Sequence, residues 1–129
     1  MNRLLLDTHT FLWWDSAPER LSATVLALCR DPSVVLYLSL VSLWEIQIKS
    51  DLGKMPLLLP LAEIIQSQQA QHGLQLLPIL PAHIYALGTL PPHHKDPFDR
   101  LLIAQALTEG LSLASVDSVF SSYPVSVIW

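Results

Sequence analysis

Residues 34–40, with the sequence VVLYLSL, form an apolar run that is uninterrupted up to Ser39 and contains both β-branched and aromatic residues. The run shows no alternation of apolar and polar positions. This pattern predicts a β-strand that is covered on both faces, as in a parallel sheet. The segment therefore favours an α/β domain, in which helices cover the sheet.

The rest of the chain alternates between predicted strands and helices. Further strands are predicted at residues 4–6, 74–80, 111–115 and 125–128, the last as an edge strand. Helices are predicted at residues 11–14, 22–30, 42–52, 61–72, 81–90 and 97–108. This order predicts a three-layer α/β/α domain around a central parallel sheet with right-handed crossovers. At 129 residues, the chain is expected to form a single domain, residues 1–129.

The helix predicted at residues 97–108 has clear start and stop residues. Asp96 is a suitable N-cap, Pro97 suits the first helical position, and Gly110 can end the helix. Asp99 lies at the edge of the expected buried stripe, which consists of Phe98, Leu102, Ile103, Ala106 and Leu107. Taken alone, Asp96 and Asp99 are equally explained by interaction with the helix N-terminus.

Acidic residues follow strands or begin helices at several points of the predicted sheet. They are Asp7, Glu45, Asp96, Asp99 and Asp117. Because the carboxyl ends of parallel strands share one edge, we expect these side chains to converge there and to repel one another. A hard cation, Mg²⁺ or Mn²⁺, would remove that repulsion and could support phosphodiester hydrolysis.

Two of these acids also have purely structural explanations. Ser42 and Glu45 have the spacing of a capping box, in which Glu45 would serve only the start of its helix. Asp117 is equally explained as a loop residue that follows a strand.

Composition indicates a buried partner surface. Hydrophobic residues make up 51% of the chain and charged residues only 14%, and the mean hydropathy is +0.42. Exposed apolar side chains are expected at Met55 and residues 57–59 and in the helix from residue 61, which suggests a homodimer. No apolar run is long enough to span a membrane, and Asp7 interrupts the N-terminal leucines, so we expect a cytoplasmic protein. Cys29 is expected to be a buried apolar residue.

Five motifs resemble those of the PIN-domain toxins of the VapC type. They are LLLDTH at 4–9, SLWEIQIK at 42–49, LGKMP at 52–56, HHKDPFDRLLIAQA at 93–106 and SVD at 115–117. The resemblance extends over nearly the whole chain, in order and at similar spacing. It implies a PIN fold, a Mg²⁺- or Mn²⁺-dependent endoribonuclease activity, a homodimer, and neutralisation by a VapB-like antitoxin.

The resemblance also assigns expected roles to individual residues. Asp7, Glu45 and Asp99 match the core acidic positions of the family, which are catalytic and bind metal. Asp117 matches a fourth, more variable acidic position, and Asp96 matches the first acid of the DPFDR motif. Ser115 stands where the family often has Thr. Thr8 and Ser42 are expected to donate hydrogen bonds to the carboxylates.

Basic and aromatic residues are the candidates for contacts with RNA. Lys49, Lys95 and Arg100 are candidate phosphate contacts, but the net charge of −4 is unusual for an RNA-binding protein. Bound cations would reverse the sign of the charge locally. Trp13, Trp14 and Trp44 could stack on RNA bases, but at helical positions next to strands their side chains are expected in the core. His93 and His94 could bind phosphate or act as acid–base groups, but they are expected to be loop residues without a catalytic role.

Two other functions fit parts of the pattern. A receiver or another Mg²⁺-dependent phosphohydrolase also places acids at strand ends, but DTHT after the first strand differs from the DxDxT of aspartyl-phosphate enzymes. A receiver would also need a strand-end Lys that the sequence lacks. The other alternative is a catalytically inactive interaction module with a PIN-like fold, against which the complete acidic set argues.

Overall fold

The computed structural model describes residues 2–129 and contains a five-stranded parallel sheet. Its strands are β1 (Arg3–Leu6), β2 (Val35–Ser39), β3 (Gln75–Leu77), β4 (Ser112–Ala114) and β5 (Val127–Ile128). The strand order is β3-β2-β1-β4-β5, and every neighbouring pair is parallel. The chain therefore extends the sheet from β1 in one direction and later returns to its other side. Such a reversal of strand order opens a crevice at the carboxyl ends of the strands.

Helices cover both faces of the sheet, as predicted. They are α1 (Thr8–Ser16), α2 (Ala23–Arg30), α3 (Leu40–Asp51), α4 (Leu61–His72), α5 (Pro81–Ala86) and α6 (Pro97–Glu109). One core cluster includes residues of α1, α2 and α4, and the other includes residues of α6 and the end of α5. Within residues 2–129, no helix is both long enough and apolar enough to cross a membrane.

Strand β1 lies in the middle of the sheet, and its burial explains why its sequence is apolar without alternating polar residues. Leu4 and Leu6 belong to the core cluster on one face, and Leu5 belongs to the cluster on the other. All three side chains have no exposed surface. Because both faces are covered, each position of the strand favours an apolar residue.

Helix α6 begins and ends almost as the sequence predicts. Asp96 Oδ1 accepts hydrogen bonds from the backbone N–H groups of Phe98 at 2.8 Å and Asp99 at 3.2 Å. Gly110 ends the helix in the left-handed conformation, with a φ of 66°. Leu107 is 38% exposed, however, so its assignment to the buried stripe was wrong.

Helix α3 begins earlier than predicted, which removes the expected capping box. Strand β2 runs directly into α3, and Ser39 is the N-cap, because its Oγ accepts from the backbone N–H of Val41 at 3.0 Å. Ser42 lies inside the helix and is fully buried. The prediction that Ser42 and Glu45 cap this helix is therefore wrong, and Glu45 does not serve as a capping residue.

The helix predicted at residues 81–90 is shorter in the structure, and a different side of it is buried. Helix α5 ends at Ala86, and a 3₁₀ turn follows at Leu87–Thr89. Ile84 is exposed, whereas His83 is fully buried. Burial of His83 is possible because both ring nitrogens have partners: Nδ1 accepts from the backbone N–H of Leu80, and Nε2 contacts Glu109 Oε1 at 2.8 Å.

Two predictions about large apolar side chains were also wrong. Trp44 was expected in the core but is 59% exposed, and Met55 was expected at the surface but is buried. Leu58 and Leu59 are exposed as expected, and Trp14 and Cys29 are buried as expected. Burial raises the pKa of the Cys29 thiol to about 11, which fits a packing role.

Candidate active site

All five predicted acidic residues line one cavity at the carboxyl end of the sheet. The cavity has a volume of about 390 Å³. Its lining consists of Asp7, Thr8, His9, Trp13, Glu45, Lys49, Asp96, Asp99, Val116, Asp117 and Phe120. The convergence expected from the strand-end positions is therefore present in the structure.

Asp7 is placed by the junction between β1 and α1. It caps α1, and its Oδ1 accepts from the backbone N–H of Thr10 at 2.8 Å. Burial raises the pKa of the Asp7 carboxyl, and hydrogen bonds from Ser115 and Thr10 oppose that rise only partly. A carboxylate in this position is poorly solvated, so a nearby cation would stabilise its charged form.

Glu45 projects from α3 into the cavity and is almost completely buried. Its Oε1 accepts from Thr8 Oγ1 at 2.8 Å, as expected for Thr8. Ser42 Oγ lies 2.9 Å from Thr8 Oγ1. Ser42 therefore contacts Thr8, whereas the sequence predicted a hydrogen bond from Ser42 to a carboxylate. The other oxygen of Glu45, Oε2, lies 2.5 Å from Lys49 Nζ. That hydrogen bond raises the pKa of Lys49, which keeps the ammonium charged.

Asp99 lies in the first turn of α6 and contacts a histidine of the preceding loop. Its Oδ2 is 2.7 Å from His94 Nε2. Burial raises the pKa of Asp99 to about 6; the charges of Asp96 and Glu45 add to the rise, and His94 opposes it. The structure thus places His94, a loop residue as expected, in contact with one of the carboxylates. His93 instead packs against the ring of Tyr123.

Asn at position 99 should stabilise the metal-free protein at neutral pH. Because the folded-state pKa of Asp99 lies above its ordinary value of 3.8, the charged carboxylate costs stability above pH 6. Below pH 4 the carboxyl is protonated in both states, so the cost disappears. We expect Asp99→Asn to raise the unfolding free energy in EDTA by about 1–3 kcal/mol at pH 7.5 and to change it little at pH 4.

Thermal unfolding of both proteins in EDTA at the two pH values would measure this effect. Glu63→Gln is the matched control, because Glu63 is exposed on α4 and outside the cavity. A loss of several kcal/mol at pH 7.5 would instead mean that the Asp99 carboxylate stabilises the fold.

The remaining predicted residues differ in how closely they approach the cavity. Asp117 is exposed and also caps a 3₁₀ turn, since its Oδ1 accepts from the backbone N–H of Val119 at 3.0 Å. Lys95 is exposed beside Asp96. Arg100 is directed at its own chain: its guanidinium donates to the carbonyls of Pro91 at 3.0 Å and, at 3.4 Å, of His94 and Leu87. These bonds hold the loop that carries His94, which is a different role from the predicted phosphate contact.

Two cavity residues were not assigned to the site from the sequence. His9 and Trp13 line the cavity beside the carboxylates. They are four positions apart on α1, so they lie on the same face of the helix, two and six positions after Asp7. That spacing, measured from the acid at the end of β1, is the pattern that could have identified them.

The donor chemistry of the cavity fits a hard divalent cation. Five carboxylates face it, and burial raises the pKa of two of them, Asp7 and Asp99. In the present conformation, no three His, Cys, Asp or Glu side chains of residues 2–129 form a ready metal-binding group. Two carboxylates are paired with basic side chains instead, Glu45 with Lys49 and Asp99 with His94. The residue types fit the ion, and its binding would compete with these two pairs.

Comparisons with known proteins agree on one family. Residues 4–125 match the model of the PIN domain. Ribonuclease VapC22 of Mycobacterium tuberculosis is 29% identical over 133 aligned positions, which cover 98% of this chain and 99% of that protein.

Solved structures with a similar fold include two protein–DNA complexes. VapBC2 from Rickettsia felis bound to a promoter DNA fragment has a TM-score of 0.73 at 14% identity, covering 98% of this chain and 97% of that one. DNA-bound VapBC from Salmonella typhimurium has a TM-score of 0.70 at 14% identity, covering 99% and 98%. At this identity, the likeness concerns the fold.

Proposed function

Because the chain belongs to the PIN domain family, we propose that it is a Mg²⁺- or Mn²⁺-dependent endoribonuclease that hydrolyses phosphodiester bonds of RNA. The observation that carries this proposal is the cavity in which five carboxylates converge. Helix capping accounts for Asp7, Asp96 and Asp117 individually, but it does not account for Glu45 and Asp99 beside them. A divalent cation that also binds a phosphodiester explains the whole set. The similarity to a protein named Ribonuclease VapC22 supports RNA as the substrate.

We assign catalysis and metal binding to Asp7, Glu45 and Asp99. Asp96 and Asp117 complete the proposed metal-binding set. When bound, the ion would activate water and stabilise the leaving oxygen. Thr8 fixes the rotamer of Glu45 through their hydrogen bond. Lys49 now pairs with Glu45, and with Glu45 holding an ion its ammonium would be free to contact a phosphate of the substrate.

Cleavage of a mixed RNA pool tests this function directly. We expect purified protein to cut RNA with Mg²⁺ or Mn²⁺, to stop when EDTA is added, and to resume when the metal is restored. Asp7→Asn, prepared in the same way, is the control for a contaminating nuclease. Cleavage that is unaffected by EDTA, or retained by Asp7→Asn, would contradict the proposal.

We further propose that the protein acts in the cytoplasm as the toxin of a type II toxin–antitoxin pair, as a homodimer that a VapB-like antitoxin inhibits. Support comes from the similar VapBC complexes and from the exposed apolar surface. A groove of about 630 Å³ between α3 and α4 is lined mainly by apolar side chains, including Leu43, Trp44 and Ile65. Coexpression with a VapB-like antitoxin, to be sought in the neighbouring reading frame, should abolish RNA cleavage, and sedimentation of the toxin alone should show a dimer.

A catalytically inactive interaction module is the alternative function. It would need the fold and the partner surface but not the complete acidic set. The RNA assay separates the two, because an inactive module would bind the antitoxin normally and leave RNA intact at every metal concentration.

A further inference from the structure

Beside the carboxylates, the cavity has an aromatic wall whose role the cleavage chemistry does not explain. Trp13 and His9 both line it, and their ring centroids are 6.1 Å apart. Trp14, the next residue, shows what a core tryptophan looks like in this helix: it is buried and packs against Phe11 and His72. Trp13 differs, since it is only partly buried: it packs against the same core cluster and also lines the cavity.

Neighbouring side chains hold the Trp13 ring in place. The guanidinium carbon of Arg20 lies 4.5 Å from the ring centroid and covers one face. The ring of Trp129 meets it edge-on, with centroids 5.9 Å apart and an interplanar angle of 64°. A ring fixed in this way loses little entropy when a flat ligand stacks on it, which favours binding.

We propose that Trp13 and His9 form a base-binding subsite, on which a nucleobase next to the cleaved phosphodiester stacks. The proposal rests on the proposed endoribonuclease function, which puts an RNA phosphate among the carboxylates. A nucleotide spans only a few ångströms, so a base attached to that phosphate reaches the adjacent wall of the same cavity. Stacking on an aromatic side chain requires an unpaired base, which specifies single-stranded RNA as the substrate.

The charges around the subsite suit the same ligand. The carboxylates repel RNA, and the exposed Arg20 places a positive charge on the outer side of Trp13. An RNA strand whose base stacks on Trp13 would therefore run from the acidic cavity towards the positive charge of Arg20. Aromatic stacking also gives binding energy that does not depend on net charge, which helps to explain how a chain with a net charge of −4 binds RNA.

Binding to RNA with and without bases tests the subsite independently of cleavage. We would measure, in Ca²⁺, which takes the same oxygen ligands as Mg²⁺, the affinity of wild-type protein for a labelled single-stranded RNA dodecamer and for an abasic analogue of the same length. Wild-type protein should bind the RNA roughly ten- to hundredfold more tightly. Trp13→Leu, which keeps an apolar side chain, should bring this ratio to within about threefold of unity. Trp13→Phe should restore most of it, and Tyr85→Leu, at an exposed aromatic residue of α5 outside the cavity, should leave it unchanged.

Equal binding of both oligomers by wild-type protein would overturn the subsite, as would an unchanged ratio in a folded Trp13→Leu variant. If Trp13→Leu does not fold, photocrosslinking of wild-type protein to RNA that contains 4-thiouridine decides the matter. Crosslinks at His9 or Trp13 would support the subsite, and crosslinks only elsewhere would overturn it. Failure of the endoribonuclease proposal is a separate result, because it appears as absent metal-dependent cleavage and leaves the binding ratio measurable.

Discussion

Replacing Glu45 by Gln should lower RNA cleavage by roughly a hundredfold or more, on the scale of about 3 kcal/mol that one electrostatic catalytic element contributes. Gln has nearly the same size, and its amide oxygen can still accept from Thr8 Oγ1. The substitution removes the charge that pairs with Lys49 and that would bind a hard cation. Because Glu45 does not cap α3, no loss of helix capping complicates the result.

Single-turnover cleavage in Mg²⁺ and thermal unfolding in EDTA should be measured together. Glu63→Gln provides the matched control, since it makes the same chemical change at an exposed position of α4. Both variants should unfold near the wild-type temperature, and only Glu45→Gln should lose activity. If Glu45→Gln cleaves RNA at nearly the wild-type rate, Glu45 is not part of the catalytic set.

Replacing Gln105 by Leu should destabilise the protein by about 2–4 kcal/mol without touching the candidate site. Gln105 is fully buried in α6. Its Oε1 accepts from Ser39 Oγ at 2.5 Å, and its Nε2 donates to the carbonyl of Pro78 at 3.1 Å. Leu is similar in volume but would leave a buried hydroxyl and a carbonyl without these partners.

The expected loss corresponds to a fall of about 10 °C in the unfolding temperature. Gln66→Leu is the control, because Gln66 is exposed on α4 and should tolerate the change. Cleavage by Gln105→Leu, assayed well below its unfolding temperature, should match the wild type. An unchanged unfolding temperature would show that the surrounding groups satisfy one another without Gln105.

The convergence of the acids could be predicted because it follows from local patterns. Strand β1 is covered on both faces and has no polar alternation, and an acid follows it directly. Once the sheet is known to be parallel, the residues after its strands must share an edge. The start of α6 was predictable for a similar reason, since Asp96 and Pro97 carry their own start signals.

Contacts between distant elements could not be predicted in this way. The spacing of Ser42 and Glu45 matches a capping box, but Ser39 at the end of β2 caps the helix instead. The spacing rule does not show where the strand ends. Ser39 and Gln105 are 66 positions apart, and neither residue type indicates burial.

The tryptophans show the same limit. Trp13 and Trp14 are adjacent on α1 and therefore point in different directions, one to the cavity and one to the core. Trp44 is exposed and contacts Phe98 edge-on, beside the apolar groove between α3 and α4. Hydrophobicity alone predicted core positions for all three, because it does not distinguish a core face from a binding face.

Equilibrium binding of Mn²⁺ to wild-type protein and to Asp7→Asn tests the central claim most directly, since free Mn²⁺ can be followed by electron paramagnetic resonance. If the converging carboxylates form the metal site, wild-type protein should bind Mn²⁺ saturably, and Asp7→Asn should bind it at least tenfold more weakly while remaining folded. Equal Mn²⁺ affinity for the two proteins, or no saturable binding by the wild type, would contradict the metal-dependent site proposed for this cavity.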